Sequence, residues 1–186
     1  MNRLNPNPWL IIAFAGGLLY PPLVYFGMGI LPSMSFVLVG LALIGLRLLA
    51  LRQQPDSKIW KIAFLITAAG LIVMLFLNSH LAVRAYPVIV SLSVAAVFGL
   101  SLLYPPPLVE RFARLTEPNL PLSGVIYTRR VTIIWTLFLL ANALISAATA
   151  LWGTLAQWTL WNGLVSYLLM GTLFMGEVIV RRMVRR

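Results

Sequence analysis

Six stretches of this chain are so long and so apolar that, in lipid, their backbones have one way to satisfy their own polar groups. They cover residues 8–26, 33–51, 59–77, 85–103, 129–151 and 157–180. Crossing about 30 Å of hydrocarbon takes roughly 20 residues at about 1.5 Å each. A backbone group left unsatisfied in lipid costs several kcal/mol, so runs of this length must be helices. They do not alternate apolar with polar residues, as the strands of a lipid-facing barrel would. Only 10% of the residues are charged and the mean hydropathy is +0.95, which excludes a soluble domain. The expected fold is therefore all-α: a polytopic membrane helical bundle of six transmembrane helices, forming a single membrane domain over residues 1–186.

Lysine and arginine orient the bundle, because cytoplasmic connections collect them. Arg3 precedes the first span, and Arg47, Arg52, Lys58 and Lys61 surround the second connection. Arg111, Arg114, Arg129 and Arg130 lie in or beside the fourth, and Arg181, Arg182, Arg185 and Arg186 end the chain. Arg84 alone falls on the opposite side. Both termini are thus expected in the cytoplasm. Trp9, Trp60, Tyr104 and Tyr127 then sit near the inner interface, and Tyr25, Tyr86, Trp152 and Trp158 near the outer one, where an aromatic ring can be half in lipid and half wet. The first run lacks a small-residue cleavage site and reads as a retained span.

Chemistry-bearing residues are sparse. There is no cysteine, one histidine (His80) and four acidic residues: Asp56, Glu110, Glu117 and Glu177. That excludes disulfides, thiolate metal sites and cysteine nucleophiles, and the acids are too dispersed to read as a paired-carboxylate site. No glycine-rich phosphate loop is present. The residues predict no catalytic, metal or cofactor site and no cofactor. The net charge of +10 follows from positive-inside topology rather than nucleic-acid binding, since no basic, aromatic-studded soluble domain exists to bind it.

The longest polar interruption, residues 104–132, has a pattern of its own. After Pro105 to Pro107, residues Leu108, Val109, Phe112 and Leu115 fall on one helical face, with Glu110, Arg111, Arg114 and Glu117 away from it. This predicts a short interfacial helix over about 107–117, stopped by Pro118 and Pro121. Gly124 is expected to turn the chain and Thr128 to cap the fifth span, leaving Arg129 and Arg130 in its first turn. With Arg111, Arg114, Arg181 and Arg182 they would form a basic crown on the inner face. Anionic lipid headgroups of the bilayer satisfy such a crown; a dock for an acidic partner or a phosphate-bearing ligand is the sharper reading.

Within the spans, Gly16, Gly17, Pro21 and Pro22 predict a kink or break near Tyr20, packed against neighbours or lining a cavity. Ser91, Ala95 and Gly99, like Ala143 with Ala147 and Ser146 with Ala150, make small-residue faces for close helix approach. Asn142 and Glu177 are candidates for a polar cavity, the latter also poised to pair with Arg181 one turn on. His80 and Arg84 are candidates for an outer-side anion site. Residues 14–22 and 98–106 share Phe-x-x-x-Leu-Leu-Tyr-Pro-Pro, which would relate two inverted three-span halves.

The segments YPVIVSLSVAAVFGLSLLYPPP, VERFARLTEPNLP, VIYTRRVTIIWTLF and WNGLVSYLLMGTLFMGEVIVRR resemble a family of uncharacterised bacterial inner-membrane proteins associated with gene clusters for aryl polyenes and related fatty-acid-like pigments. The resemblance covers roughly Tyr86 to Arg182, with YTRRVT and LMG-x-LF-x-GE as its more specific marks. It implies a multi-pass protein of the bacterial inner (cytoplasmic) membrane and carries no catalytic residue. It also implies a setting in which acyl chains are built on a small acidic acyl carrier protein, one partner for the basic crown. The resulting expectation is an accessory or scaffold protein for synthesis or handling of a lipid-like acyl product. A small transporter or flippase for that product is the alternative, and a membrane enzyme of unknown reaction the third reading.

The orientation is directly testable. A reporter active only outside the cytoplasm should be silent when fused after Leu120 and active when fused after Trp152; the reverse pattern would overturn the charge argument.

Overall fold

A computed structural model describes residues 8–50, 58–77 and 79–184. Among them the chain is all-helical, with no strand. Helix α1 covers Pro8–Gly27, α2 Ser33–Ala50, α3 Lys58–Leu77, α4 Ser79–Leu103, α5 Leu108–Thr116 and α6 Leu122–Leu151. Helix α7 (Leu155–Leu160) runs through a π-helical turn at Trp161–Val165 into α8 (Ser166–Val184). Segments Leu81–Leu103, Leu122–Leu151 and Leu155–Arg181 are long and apolar enough to cross a membrane. Ser33–Leu49 and Trp60–Val73 are shorter apolar helices. Large apolar side chains cover the outside as well as the inside: Leu168, Phe174 and Met175 of α8 are all exposed. This is the construction of a helical membrane protein, since water does not tolerate apolar surface of that extent.

Helix α4 is the hub, packing on α2, α3 and α6. Pro87 stands inside it. Proline has no N–H, so the Val83 carbonyl one turn earlier loses its usual donor. The Tyr20 hydroxyl of α1 takes that place, donating to the Val83 carbonyl at 3.2 Å. The next carbonyl, of Arg84, accepts Trp158 Nε1 of α7 at 3.1 Å. Tyr20 and Trp158 are both fully enclosed, so two adjacent carbonyls of α4 tie α1 and α7 to it. Tyr86 stacks on Tyr20 with ring centroids 4.4 Å apart. Gly40 of α2 makes room for it: a Cβ there would lie 3.1 Å from the Tyr86 ring.

Two further contacts complete the frame. Thr67 of α3 and Ser93 of α4 hydrogen-bond through their buried hydroxyls. The small face of α4 meets α6 as its spacing predicts: Ser91 and Ala95 of α4 and Ala143 of α6 are buried, and a Cβ on Gly99 would lie 3.5 Å from Thr136. Asn142 Nδ2 donates to Ser91 Oγ across this seam at 3.0 Å.

Several expected boundaries move. Helix α1 is continuous through Pro21 and Pro22, so of the expected kink or break near Tyr20 the break is absent. The two Tyr-Pro-Pro segments differ in structure, one inside α1 and the other in the turn after α4. Helix α4 starts at Ser79, absorbing most of the expected outer connection. Helix α6 starts at Leu122 with Pro121 as its N-cap, so Gly124 is helical rather than a turn. Thr128 is not a cap, and its hydroxyl donates back to the Val125 carbonyl at 2.9 Å. Proline needs no donor at a helix start, which is why the helix begins there rather than at Thr128. Thr154 caps α7 through a reciprocal pair with Gln157.

Helix α5 lies with a different face inward from the one expected. Glu110 is buried and paired with Arg114 at 2.7 Å, Leu108 packs against Ala63 and Val97, and Phe112 and Leu115 point outward. Where the surroundings are themselves apolar, the bulky residues are free to face them while Glu110 is covered by protein and Arg114 reaches it from a partly exposed position.

The link made by Pro87 predicts non-additivity. Tyr20→Phe should destabilise the protein by about 1 kcal/mol in detergent unfolding. In a Pro87→Ala background the loss should shrink, because alanine at that position returns an N–H to the Val83 carbonyl. Equal losses in both backgrounds would disprove the coupling.

Candidate functional site

A cavity of about 260 Å³ lies between α1, α2, α4, α6 and the α7–α8 arm. Val90, Val94 and Phe98 of α4, Leu139 of α6 and Met170 of α8 give it apolar walls. Its polar residues divide into two groups. Asn142, Asn162 and Ser166 are engaged by the fold itself. Asn142 Oδ1 accepts Trp161 Nε1 at 3.1 Å, Asn162 Oδ1 accepts Ser146 Oγ at 2.7 Å, and Asn162 Nδ2 donates to the Trp158 carbonyl at 2.9 Å. Such amide links are worth about 1 kcal/mol each in membranes.

The second group is Arg47, Tyr86 and Tyr167. Arg47 projects from the last turn of α2 and is half-buried, its guanidinium carbon 5.7 Å from the centre of the Phe64 ring. Gly17 of α1 leaves space for it: a Cβ there would sit 2.9 Å from an Arg47 Nη and 4.0 Å from the Tyr167 hydroxyl. Tyr86 lies close enough to feel the same guanidinium, yet its buried hydroxyl makes no hydrogen bond of good geometry. An ionisable residue within an apolar span is costly unless it pairs or reaches water, so its place here calls for compensation. The Phe64 ring face and neighbouring hydroxyls supply part of it.

The π-helical turn shapes the opposite wall. At Trp161–Val165 the helix accommodates an extra residue per turn, a form that recurs at functional sites. It brings Gly163 against α1, where a Cβ would lie 3.3 Å from Pro22 and 3.4 Å from Pro21. Glycine here is what lets the two irregular segments touch.

The sequence-predicted residues separate. Asn142 lines the cavity, whereas Glu177 does not: its carboxylate accepts Trp135 Nε1 at 3.4 Å rather than pairing with Arg181. Arg84 turns back into the fold and donates to the carbonyls of Ala150 and Gly153 at 3.4 and 3.2 Å, so it braces the end of α6. The side chains of His80 and Arg182 lie outside the described residues. In the basic crown, Arg111 donates to the carbonyls of Pro106 and Tyr104, and Arg114 to Glu110 and the Pro118 carbonyl. These two hold the connector in shape. Arg129 and Arg130 are exposed side by side in the second and third turns of α6, not the first. Arg181 borders a second hollow of about 270 Å³ beside Glu117, Tyr127 and Thr128.

Sequence reasoning missed Arg47 by counting it among the topology-setting charges. Its place inside the run 33–51 was the available signal, because an ionisable residue within a span is a functional candidate in its own right. Comparison with protein-family profiles, with curated proteins and with solved structures finds no match.

Proposed function

We propose that the protein handles a lipid-like amphiphile within the membrane, holding it in the cavity among α1, α2, α4, α6 and the α7–α8 arm as a small transporter, flippase or carrier. The observation that carries this reading is the cavity itself: apolar along most of its wall, with Arg47 and two tyrosines at one place on it. Ligand sites are apolar enclosures with few convergent polar groups. In this reading the six apolar runs are six spans, both termini are cytoplasmic and the host is a bacterial inner membrane, as the charge pattern and the family resemblance imply.

A second reading is favoured by the exposed pair Arg129 and Arg130. As an accessory or scaffold protein, the chain would present this pair, with Arg181, to an acidic acyl carrier protein or to anionic lipid. The two readings are compatible, one describing the cargo and the other its delivery.

Protein purified in mild detergent should retain an amphiphile visible by native mass spectrometry. Val94→Trp, which fills the cavity, should remove it with the melting temperature nearly unchanged; undiminished cargo in a folded Val94→Trp protein rules the cavity out. For the second reading, Arg129→Glu with Arg130→Glu should abolish co-purification of the carrier, and added salt should weaken the unaltered complex. Carrier binding that survives both reversals, with topology rechecked, excludes docking at this pair.

A further inference from the structure

The cavity's chemistry narrows its occupant, on the reading that it is a binding site. Among its described lining residues Arg47 carries the one formal charge, and none is a carboxylate. A cation would therefore meet like charge from these residues. The amides and Ser166 are already bonded within the fold, so a neutral polar headgroup such as a sugar would find few side chains ready for it. Tyr86 differs from them: it is 3% exposed, faces the cavity, and its hydroxyl lies beside the Arg47 guanidinium without a hydrogen bond of good geometry. A buried hydroxyl of that kind calls for a further partner, which a water, an ion or a ligand atom can supply. A phenol donates to an anion, and guanidinium matches the two oxygens of a carboxylate or phosphate.

We propose that the cavity seats the anionic headgroup of a single-chain amphiphile, a carboxylate or phosphate monoester, between Arg47 and the Tyr86 hydroxyl. Its hydrocarbon runs along Val90, Val94 and Phe98. Volume agrees with one chain: a dry cavity of about 150 Å³ accepts benzene, so about 260 Å³ takes a headgroup and several methylenes. The remainder of the chain leaves through the cavity's open side.

The test uses the full-length protein in zwitterionic nanodiscs and a terminally brominated dodecanoate as quencher. Trp135 lines the cavity, so the quenching lost in Trp135→Phe isolates the signal from this site. Saturable quenching by the acid is expected, with the brominated alcohol of equal length binding about ten-fold more weakly, the scale of one charged hydrogen-bonded contact. Arg47→Gln should bring the acid down to the alcohol's affinity and leave the alcohol unchanged, and Tyr86→Phe should weaken the acid selectively. Dodecyl phosphate displacing the probe more strongly than dodecanoate would assign the headgroup as phosphate; the reverse would assign it as carboxylate. Equal, saturable binding of acid and alcohol overturns the anionic headgroup while the cavity remains a lipid site. This comparison needs only the unaltered protein, should Arg47→Gln fail to fold. Absence of saturable quenching by either probe overturns the cavity reading and this inference together.

Discussion

Pro87 deletes one backbone donor from the helix on which the bundle is built, and much of the structure answers that loss. In water the orphaned Val83 carbonyl would take a solvent molecule. In lipid it must find a protein donor or lose several kcal/mol. Tyr20 fills that place, and Trp158 bonds the next carbonyl, of Arg84, so that α1 and α7 are both fixed against α4. Once those rings are seated, Tyr86 has to lie between Tyr20 and α2, and Gly40 is the residue that admits it. The proline is thus a connector rather than a fault in the helix.

The same rule explains why the bundle relies on small residues and amides. Apolar surface gains little by leaving lipid for another helix, so association depends on close packing and on polar links. The α4–α6 seam uses both, small residues for approach and Asn142 with Ser91 as the bond. The α7–α8 arm is built differently. Its N-terminal end is pinned by Trp158 and Asn162, while α8 beyond Ser166 buries little and touches α6 through single contacts such as Tyr127 to the Glu177 carbonyl at 3.3 Å.

How legible this was in the residues depends on whether lipid or neighbours decide each feature. The helices were legible because their apolar length leaves the backbone one solution. So was the small face of Ser91, Ala95 and Gly99, a matter of spacing alone. The start of α7 was also legible, since Thr154 and Gln157 form a capping box, although the span was placed from Gln157. The inward face of α5 was not, because binary patterning assumes water outside, and here Phe112 and Leu115 take the outer face while Glu110 is covered. The π-helical turn was not legible either, since the contact it makes, Gly163 against Pro21 and Pro22, joins opposite ends of the chain.

Arg47 is the case where position in sequence and position in space carry different meanings. At the end of an apolar run a charge is normally explained by snorkelling to the interface, with its stem in lipid and its head in water. Here the neighbours provide an alternative to water: a glycine opposite the guanidinium, an aromatic face at 5.7 Å and two phenols within electrostatic reach. Pro21 adds a backbone acceptor to the same region, since it leaves the Gly17 carbonyl without its helical donor. Several helices therefore contribute to one polar place inside an apolar enclosure. A bundle whose only need was stability would do better to fill that place with leucine, because a buried charge is a poor source of stability even when it is well surrounded. What an arginine adds there is selectivity for charge, and the proline, glycine and tyrosine positions around it are the means by which the fold accommodates it.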